Sequence, residues 1–236
     1  DNYSNISRHS DAEIIVNTTP VGMYPNTGYS PVDLTMFPRC SGVVDIIYNP
    51  SRTALLLQAE RLGIPRVNGL HMLVAQAKSA SELFRGVQLD DGLIPVVRDK
   101  IAADRMNLVL IGMPGCGKTS IGEQLAAVTG RPLIDTDEEI WRMTGRRAEE
   151  IIREEGEEAF RRIETQAISE AGKRSGCIIA TGGGCVTREE NYPLLHQNGR
   201  IIWIQRDLSL LETEGRPLSQ AASNQVLFAR RKPCYA

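Results

Sequence analysis

The pattern of apolar and polar positions in the first hundred residues predicts an α/β segment. Short apolar runs at 12–16, 42–48 and 64–67 have the length and composition of buried strands. Apolar residues at helical spacing cover Thr53–Leu62, which Gly63 ends, and then Leu70–Phe84. Because strands and helices alternate, we expect a parallel sheet.

A second α/β pattern begins at Leu108. Its predicted strands are 108–111, 132–134, 177–181 and 201–204, and its predicted helices are 120–128, 148–171 with a break at Gly156, and one that ends at 230–235. Gly, Asp and Pro residues interrupt the pattern between 86 and 107, where a short polar helix is expected over 98–105. We therefore predict a first domain over 1–88, a linker over 89–106 and a second domain over 107–236.

The turn after the first strand of the second segment contains a phosphate-binding motif. Residues 112–119 read GMPGCGKT, which matches the P-loop pattern G-x-x-x-x-G-K-[ST] between a strand and a helix. Glycines let the backbone N–H groups face a phosphate, and the helix N-terminus adds its positive dipole end. The alternative is a Gly/Pro-rich turn without a ligand, which this strand-to-helix setting disfavours. The residues expected around the phosphates of ATP are Gly112, Gly115, Cys116, Gly117, Lys118, Thr119 and Ser120, with the Thr119 hydroxyl on Mg²⁺.

Polar and glycine residues follow the next two strands. Asp135 and Asp137 leave one strand end on the same face, so that one carboxylate can serve a metal ion and the other a nucleophile. Acidic residues are common at loop starts, so this pair alone is weak evidence. Three consecutive glycines, 182–184, are entropically costly and indicate a close backbone approach to a ligand.

The helical segment 148–171 carries charged pairs at i,i+4. Glu157 with Arg161 and Glu158 with Arg162 have this spacing, and taken in isolation they are more readily surface salt bridges than site residues.

Composition sets broad limits on function. The 236 residues are 42% hydrophobic and 24% charged, and the net charge of −2 gives no reason to expect a nucleic-acid partner. No apolar run approaches 18 residues, so no membrane association is expected. The N-terminus lacks an initiator Met and a signal-peptide pattern, which indicates a soluble excerpt of a longer protein. The five cysteines lack C-x-x-C spacing, so we expect no disulfide framework, no zinc site and a cytoplasmic location.

Taken together, the second segment closely resembles the shikimate kinase family. The resemblance rests on Gly112–Thr119, Asp135–Asp137, Gly156-Glu157, Phe160–Glu164, Thr181–Gly184, Arg216–Leu218 and Arg231–Tyr235, in that order and spacing. It implies a P-loop kinase fold like that of nucleoside-monophosphate kinases, and transfer of phosphate from MgATP to the 3-hydroxyl of shikimate. A monomeric kinase domain is compatible with the resemblance.

The resemblance also assigns roles to residues. It implies catalytic roles for Lys118, Asp137 and Arg216, shikimate binding by Asp137, Arg161, Gly182, Gly183, Gly184 and Arg231, Mg²⁺ binding by Thr119 and Asp135, and contacts of Lys118 and Arg216 with the phosphates of ATP. The chemistry agrees, because a substrate carboxylate favours arginine and phosphoryl transfer depends on positioning and charge neutralisation. Cys234 stands where the family usually has Leu. Family members also continue past Tyr235 with an adenine-contacting segment that we expect to be absent.

The first segment resembles the C-terminal part of shikimate dehydrogenase. Residues 17–23 (NTTPVGM), 45–50 (DIIYNP) and 68–77 (NGLHMLVAQA) carry the resemblance, with His71 as a departure from a common Gly. It implies that Thr18 and Gly69 border the nicotinamide of NADP and that Tyr48 and Gln76 approach shikimate.

The dehydrogenase features are nevertheless incomplete in the sequence. No G-x-G-x-x-G fingerprint occurs before residue 100, and the family's catalytic Lys and Asp belong to a domain that would precede residue 1. We therefore expect an incomplete NADP site, with the four residues named above serving as packing residues of a remnant.

The leading hypothesis is a shikimate kinase in a chain derived from a bifunctional dehydrogenase–kinase. One alternative is that NADP-dependent dehydrogenase activity is retained, and another is an inactive fragment that binds nucleotide weakly. A P-loop signalling switch is disfavoured, because the strings Asp-x-x-Gly and Asn-Lys-x-Asp do not occur.

Overall fold

The computed structural model describes residues 3–211 and 224–235. The chain divides into two compact units, Asp1–Arg105 and Met106–Ala236. Each unit contains one parallel sheet with helices, which confirms the predicted α/β class.

Unit 1 has three parallel strands in the order β1-β2-β3. The strands are β1 (Ile14–Asn17), β2 (Gly42–Asp45) and β3 (Arg66–Val67). The helices are α1 (Ala54–Arg61), α2 (Leu70–Arg85) and α3 (Leu93–Arg105), with short 3-10 helices at Tyr3–His9 and Leu34–Met36. The strand and helix types of this unit therefore follow the sequence pattern, with ends that differ by a few residues.

One face of the unit 1 sheet packs on α1 around Val43, Leu55 and Leu56. At the end of β2 the fully buried Asp45 carboxylate accepts hydrogen bonds from Asn17 Nδ2 at 3.1 Å and from Thr53 Oγ1 at 2.6 Å. Thr53 also caps α1, since its hydroxyl accepts from Leu56 N. This buried polar contact joins the ends of β1 and β2 to the start of the helix.

The segment predicted as a linker is largely helical. Helix α3 spans Leu93–Arg105, longer than the expected helix at 98–105. The turn before it is held by α2: Glu82 accepts from Leu89 N at 2.8 Å, and Lys78 lies 2.8 Å from both Glu82 and Asp91. The Gly and Asp residues of this region therefore form a helix–helix turn that is tied by charged side chains, a long-range effect that composition does not reveal.

Unit 2 has four parallel strands in the order β5-β6-β4-β7. They are β4 (Asn107–Ile111), β5 (Leu133–Asp135), β6 (Ile178–Ala180) and β7 (Gly199–Trp203). The helices are α4 (Lys118–Thr129), α5 (Thr136–Thr144), α6 (Ala148–Glu155), α7 (Glu157–Lys173), α8 (Asn191–His196) and α9 (Asn224–Tyr235), with 3-10 helices at Cys185–Thr187 and Leu208–Leu210.

The sheet of unit 2 is apolar because it is covered on both faces. Val109 and Leu110 of β4 and Ile178 and Ile179 of β6 are fully buried. The carboxyl ends of all four strands meet at one edge, which is where ligands bind in open parallel sheets.

The pattern of apolar and polar residues did not predict helices α5 and α8. Asp135, which the sequence predicts only as a site residue, also caps helix α5.

Asn107 at the start of β4 connects three segments of unit 2. Its side chain donates to Arg174 O at 2.7 Å and accepts from Cys177 N at 2.9 Å, and its backbone N–H donates to Asn198 O. Asn107 is fully buried, so removing its amide would leave a buried donor and acceptor without partners.

We expect Asn107→Ala to lower the free energy of unfolding of unit 2 by about 2–4 kcal/mol. Both tryptophans, Trp141 and Trp203, lie in this unit, so urea unfolding followed by tryptophan fluorescence measures it selectively. The exposed Gln225→Ala serves as a control and should change stability by less than about 0.5 kcal/mol. An unchanged midpoint for Asn107→Ala would contradict this account.

Candidate active site

A cleft of about 720 Å³ opens at the carboxyl edge of the unit 2 sheet. It is lined by the P-loop, the residues after β5, β6 and β7, and parts of α6, α7 and α9. Of the kinase-site residues predicted from the sequence, those lining it are Gly115, Cys116, Gly117, Lys118, Thr119, Ser120, Asp135, Asp137, Arg161, Gly182, Gly183, Gly184 and Arg231. Gly112 lies at the base of the P-loop outside this lining, and Arg216 falls outside the described residues.

The P-loop backbone needs glycine at two turns. Gly115 and Gly117 have φ values of +79° and +94°, in the left-handed region that side chains disfavour. Gly117 caps α4, so the helix begins at Lys118 with its first N–H groups directed at the cleft. The Lys118 ammonium donates to Gly112 O and Met113 O, each at 3.0 Å, and the residue is only 8% exposed. A cation is thereby fixed over the start of an anion-binding loop.

Thr119 and Asp135 lie side by side across the cleft floor. Thr119 Oγ1 donates to Asp135 Oδ2 at 2.9 Å, and the other carboxylate oxygen accepts from Asp137 N at 2.9 Å. A hydroxyl and a carboxylate are oxygen ligands that suit Mg²⁺. Within 3–211 and 224–235 no group of three or more His, Cys, Asp or Glu side chains could hold a metal ion. Mg²⁺ in phosphoryl-transfer sites is usually bound by one or two carboxylates together with water and substrate phosphates.

Asp137, in the first turn of α5, has a perturbed carboxyl group. Its side chain is reached by solvent through the cleft, yet protein surrounds it closely. Desolvation and the negative charges of Asp135 and Glu164 raise its pKa to about 6, against the opposing charges of Lys118 and Arg161. A carboxylate with a pKa near neutrality is suited to accept a proton from a substrate hydroxyl.

Arg161 lies buried in α7 between two acidic residues. Its guanidinium donates to Glu164 Oε2 at 2.7 Å and to Glu157 Oε1 at 3.1 Å, and Arg161 and Glu164 are 6% and 1% exposed. Desolvation opposes the positive charge, but the two carboxylates outweigh it and raise the pKa of Arg161. The guanidinium is therefore permanently charged and held at one edge of the cleft.

The three glycines after β6 are required by crowding within the protein. A Cβ on Gly182 would lie 2.7 Å from Glu164 Oε1, one on Gly183 would lie 2.6 Å from the Pro114 ring, and one on Gly184 would lie 2.3 Å from the Arg161 guanidinium. The sequence predicted a close approach of this backbone to a ligand, and that stays a prediction. The close approaches seen in the folded chain are to the P-loop and α7, and the three glycines also line the cleft.

Arg231 of α9 completes the cleft. It is 4% exposed, and its Nη1 donates to Gly183 O at 3.0 Å. Burial lowers its pKa, and the nearby charge of Arg161 acts in the same direction. In the described part of the chain no carboxylate forms an ion pair with Arg231. The cleft thus contains a buried cation that an anionic ligand would stabilise.

Sequence reasoning missed three contributors to the site. Glu164 orients Arg161, the Thr136 hydroxyl accepts from Gly182 N at 2.9 Å, and the Tyr235 hydroxyl donates to Gly183 O at 3.4 Å while its ring stacks on Trp203. The i,i+3 spacing of Arg161 and Glu164 was the available signal, but surface pairs have the same spacing.

The two i,i+4 pairs predicted in α7 have different outcomes. Glu157 does pair with Arg161, whereas Glu158 contacts Arg188. The predicted Glu158–Arg162 pair is therefore replaced by a contact with a segment distant in sequence.

All five cysteines are free thiols, and no helix among the described residues is long and apolar enough to cross a membrane.

Unit 1 has a separate pocket of about 420 Å³. Thr18 and Tyr48 line it, and Gly69 and Gln76 are not among its lining residues. Gly69 is needed for packing, because a Cβ there would lie 1.8 Å from Ile46 O. Gln76 is exposed on α2. The four residues carried over from the dehydrogenase family are thus only partly brought together.

The fold and cleft of unit 2 define a P-loop kinase that acts on a small anionic acceptor. The family model for shikimate kinase matches residues 114–236. The shikimate kinase of Prochlorococcus marinus is 41% identical over 138 residues, which cover 55% of this chain and 70% of that protein. The shikimate kinase of Acinetobacter baumannii, solved in complex with shikimate, is 34% identical, covers 58% of this chain and 81% of its own, and superposes with a TM-score of 0.54.

The chain belongs to the shikimate kinase family, and it is an ATP-dependent kinase, as the sequence predicted. A chorismate mutase/shikimate 5-dehydrogenase fusion protein of Clostridium acetobutylicum also matches, with 37% identity over 42% of this chain and 36% of its own and a TM-score of 0.39. At that TM-score the match defines neither a fold nor a function for unit 1.

We expect Asp137→Asn to stabilise unit 2 near pH 8 and to have less effect near pH 4. The pKa of Asp137 in the folded chain, about 6, lies above its ordinary value of 3.8, so the folded state binds the proton more tightly. Folding stability therefore falls as pH rises from 3.8 to about 6, and the amide avoids this cost. Because solvent in the cleft screens the carboxylate, the gain should be on the order of 1 kcal/mol.

Urea unfolding at both pH values, followed by tryptophan fluorescence, measures this difference. Glu189→Gln makes the same carboxylate-to-amide change at an exposed site of the same unit and should shift stability little at either pH. An equal effect of Asp137→Asn at pH 4 and pH 8 would rule out the proposed titration.

Proposed function

We propose that unit 2 transfers the γ-phosphoryl group of MgATP to the 3-hydroxyl of shikimate. The hydroxyl oxygen forms a bond to the γ-phosphorus, the bond from that phosphorus to the β–γ bridging oxygen breaks, and ADP leaves. The hydroxyl proton passes to the Asp137 carboxylate, whose raised pKa of about 6 supports this role.

The observation that carries the proposal is the position of two buried arginines in the same cleft as Asp137. Arg161 and Arg231 both contact the glycine segment 182–184, on the side of the P-loop where β5 and β6 end. Planar guanidinium groups suit a carboxylate, and the charge of Arg231, which no carboxylate of the described residues pairs with, favours an anion. Shikimate carries one carboxylate and several hydroxyls, so these residues can hold its carboxylate while Asp137 accepts from a hydroxyl.

The P-loop supplies the charge that phosphoryl transfer needs. We assign Lys118 and the N–H groups at the start of α4 to the phosphates of ATP, and Thr119 and Asp135 to Mg²⁺. When bound, Mg²⁺ neutralises charge on the phosphate oxygens. A phosphate role for Arg216 remains part of the proposal, on the strength of the family motif.

The five free thiols suit a reducing compartment, which supports the cytoplasmic location that we propose.

We expect ADP formation from MgATP to depend on shikimate and to fall by about 100-fold or more in Lys118→Ala and in Asp137→Asn. Lys118→Ala removes a phosphate cation, and Asp137→Asn removes the proton acceptor at nearly constant volume. A coupled assay for ADP with and without shikimate measures both effects, with the exposed Glu189→Gln variant as control. Shikimate-independent hydrolysis, or full activity of Asp137→Asn, would refute the mechanism.

For unit 1 we propose a remnant without an NADP site of its own. Its strands β1 to β3 lack a glycine fingerprint at a strand–helix turn, so the residues present do not form a cradle for a dinucleotide pyrophosphate. Thr18 and Tyr48 share the pocket of unit 1, but Gln76 is exposed on α2 and Gly69 is occupied by packing on Ile46.

We therefore expect no NADPH formation when this chain is given shikimate and NADP⁺. Absorbance at the NADPH band, with a complete shikimate dehydrogenase as positive control, provides the measurement. A shikimate-dependent rise that is lost in Tyr48→Phe would overturn our interpretation of unit 1.

A further inference from the structure

We propose that Arg206 is a nucleotide-binding residue that contacts the phosphates of ATP from the side opposite the acceptor. This inference deepens the proposed kinase function and rests on it. Arg206 lies three residues after the end of β7. It lies outside the set of residues assigned above to ATP, Mg²⁺ or shikimate.

Strand order places the two ends of ATP on opposite sides of the P-loop. The order β5-β6-β4-β7 puts Asp135, Asp137 and Gly182–Gly184, which follow β5 and β6, on one side of β4. The γ-phosphate must face Asp137 on that side for transfer to occur. The α-phosphate and the nucleoside therefore extend toward the other side, where β7 ends.

The backbone after β7 is fixed against the P-loop. Ile204 N donates to Ile111 O at 2.8 Å, and a Cβ on Gly112 would lie 2.5 Å from Ile204 O. Two residues later, Arg206 Nη1 lies 3.9 Å from the position of a Cβ on Gly117, which caps α4. The guanidinium thus stands beside the helix N-terminus at which a phosphate is expected.

The charge of Arg206 is available to a ligand. The side chain is exposed in the wall of the cleft, and within the described residues it forms no hydrogen bond or ion pair. Asp207 next to it is engaged elsewhere, because its carboxylate accepts from Ser209 N and Ser209 Oγ. An unpaired arginine within reach of a polyphosphate can form a charge-assisted hydrogen bond with it.

The test compares Arg206→Ala with Arg200→Ala in the whole chain. Arg200 is an exposed arginine near the amino end of β7, the strand that precedes Arg206, and it does not line the cleft, so both variants lose one exposed positive charge. We expect KM for MgATP to rise about tenfold in Arg206→Ala. KM for shikimate and the urea midpoint should stay within about twofold and 0.5 M of the parent. Arg206→Lys should recover part of the loss, and Arg200→Ala should match the parent.

Ligands that lack parts of ATP locate the contact. Affinity for ADP, measured by calorimetry without shikimate, should fall by a factor similar to that for ATP, because the contact lies on the α side of the γ-phosphate. Inhibition by inorganic tripolyphosphate should weaken as well. ADP affinity equal to that of the parent would place the contact on the γ-phosphate, and unchanged tripolyphosphate inhibition would place it on the nucleoside. Either result overturns the inference.

Failure of this inference and failure of the proposed function give different results. If the parent chain shows no shikimate-dependent ADP formation, the kinase proposal fails, while ADP affinity still reports on Arg206. If the parent is active and Arg206→Ala keeps the parental KM for MgATP, only the assignment of Arg206 is wrong.

Discussion

The site depends on how closely backbone segments approach one another at the carboxyl edge of the unit 2 sheet. The P-loop contacts the segment after β6 through Pro114 and Gly183, and the segment after β7 through Gly112 and Ile204. No side chain larger than hydrogen fits at either glycine, so the ends of three parallel strands are held within a few ångströms of each other. Within 3–211 and 224–235, the proposed functional groups project from one of these segments, from the end of β5 or from a helix that borders the cleft. The glycines therefore set the distances on which the charges act.

The charges are arranged as a balanced set around that edge. Desolvation and the negative charges of Asp135 and Glu164 raise the pKa of Asp137, and the positive charges of Lys118 and Arg161 offset part of this increase. Glu164 holds Arg161, and Thr119 holds Asp135, so the groups next to Asp137 are already oriented. Arg231 is the exception, because burial and a like charge lower its pKa and no described carboxylate pairs with it. An anionic substrate would complete the balance, which links binding of a carboxylate to the electrostatics of the cleft.

The order of elements and the main site residues could be predicted because they depend on local chemistry. Strand runs such as 108–111 and helices such as Leu70–Phe84 follow from periodicity, and the P-loop follows from a short motif with a physical role for each position. The start of α3, before residue 98, and helix α5 could not be predicted in the same way. The turn before α3 is held by Lys78 and Glu82, which lie in another helix, α2. Helix α5 is capped by Asp135, a residue type that serves equally well as a cap or as a site residue.

The sequence by itself determined the chemistry available to this chain: a phosphate loop, a pair of aspartates, arginines for a carboxylate and a first segment without a dinucleotide fingerprint. Only the tertiary structure decided which charges meet. Glu164 lies at the site because α7 packs beside Gly182. Glu158 pairs with Arg188 because the fold brings that distant segment next to α7. Arg206 lines the cleft because β7 pairs with β4, the strand that leads into the P-loop. These outcomes depend on contacts between residues that are distant along the chain, and residue spacing carries no information about those contacts.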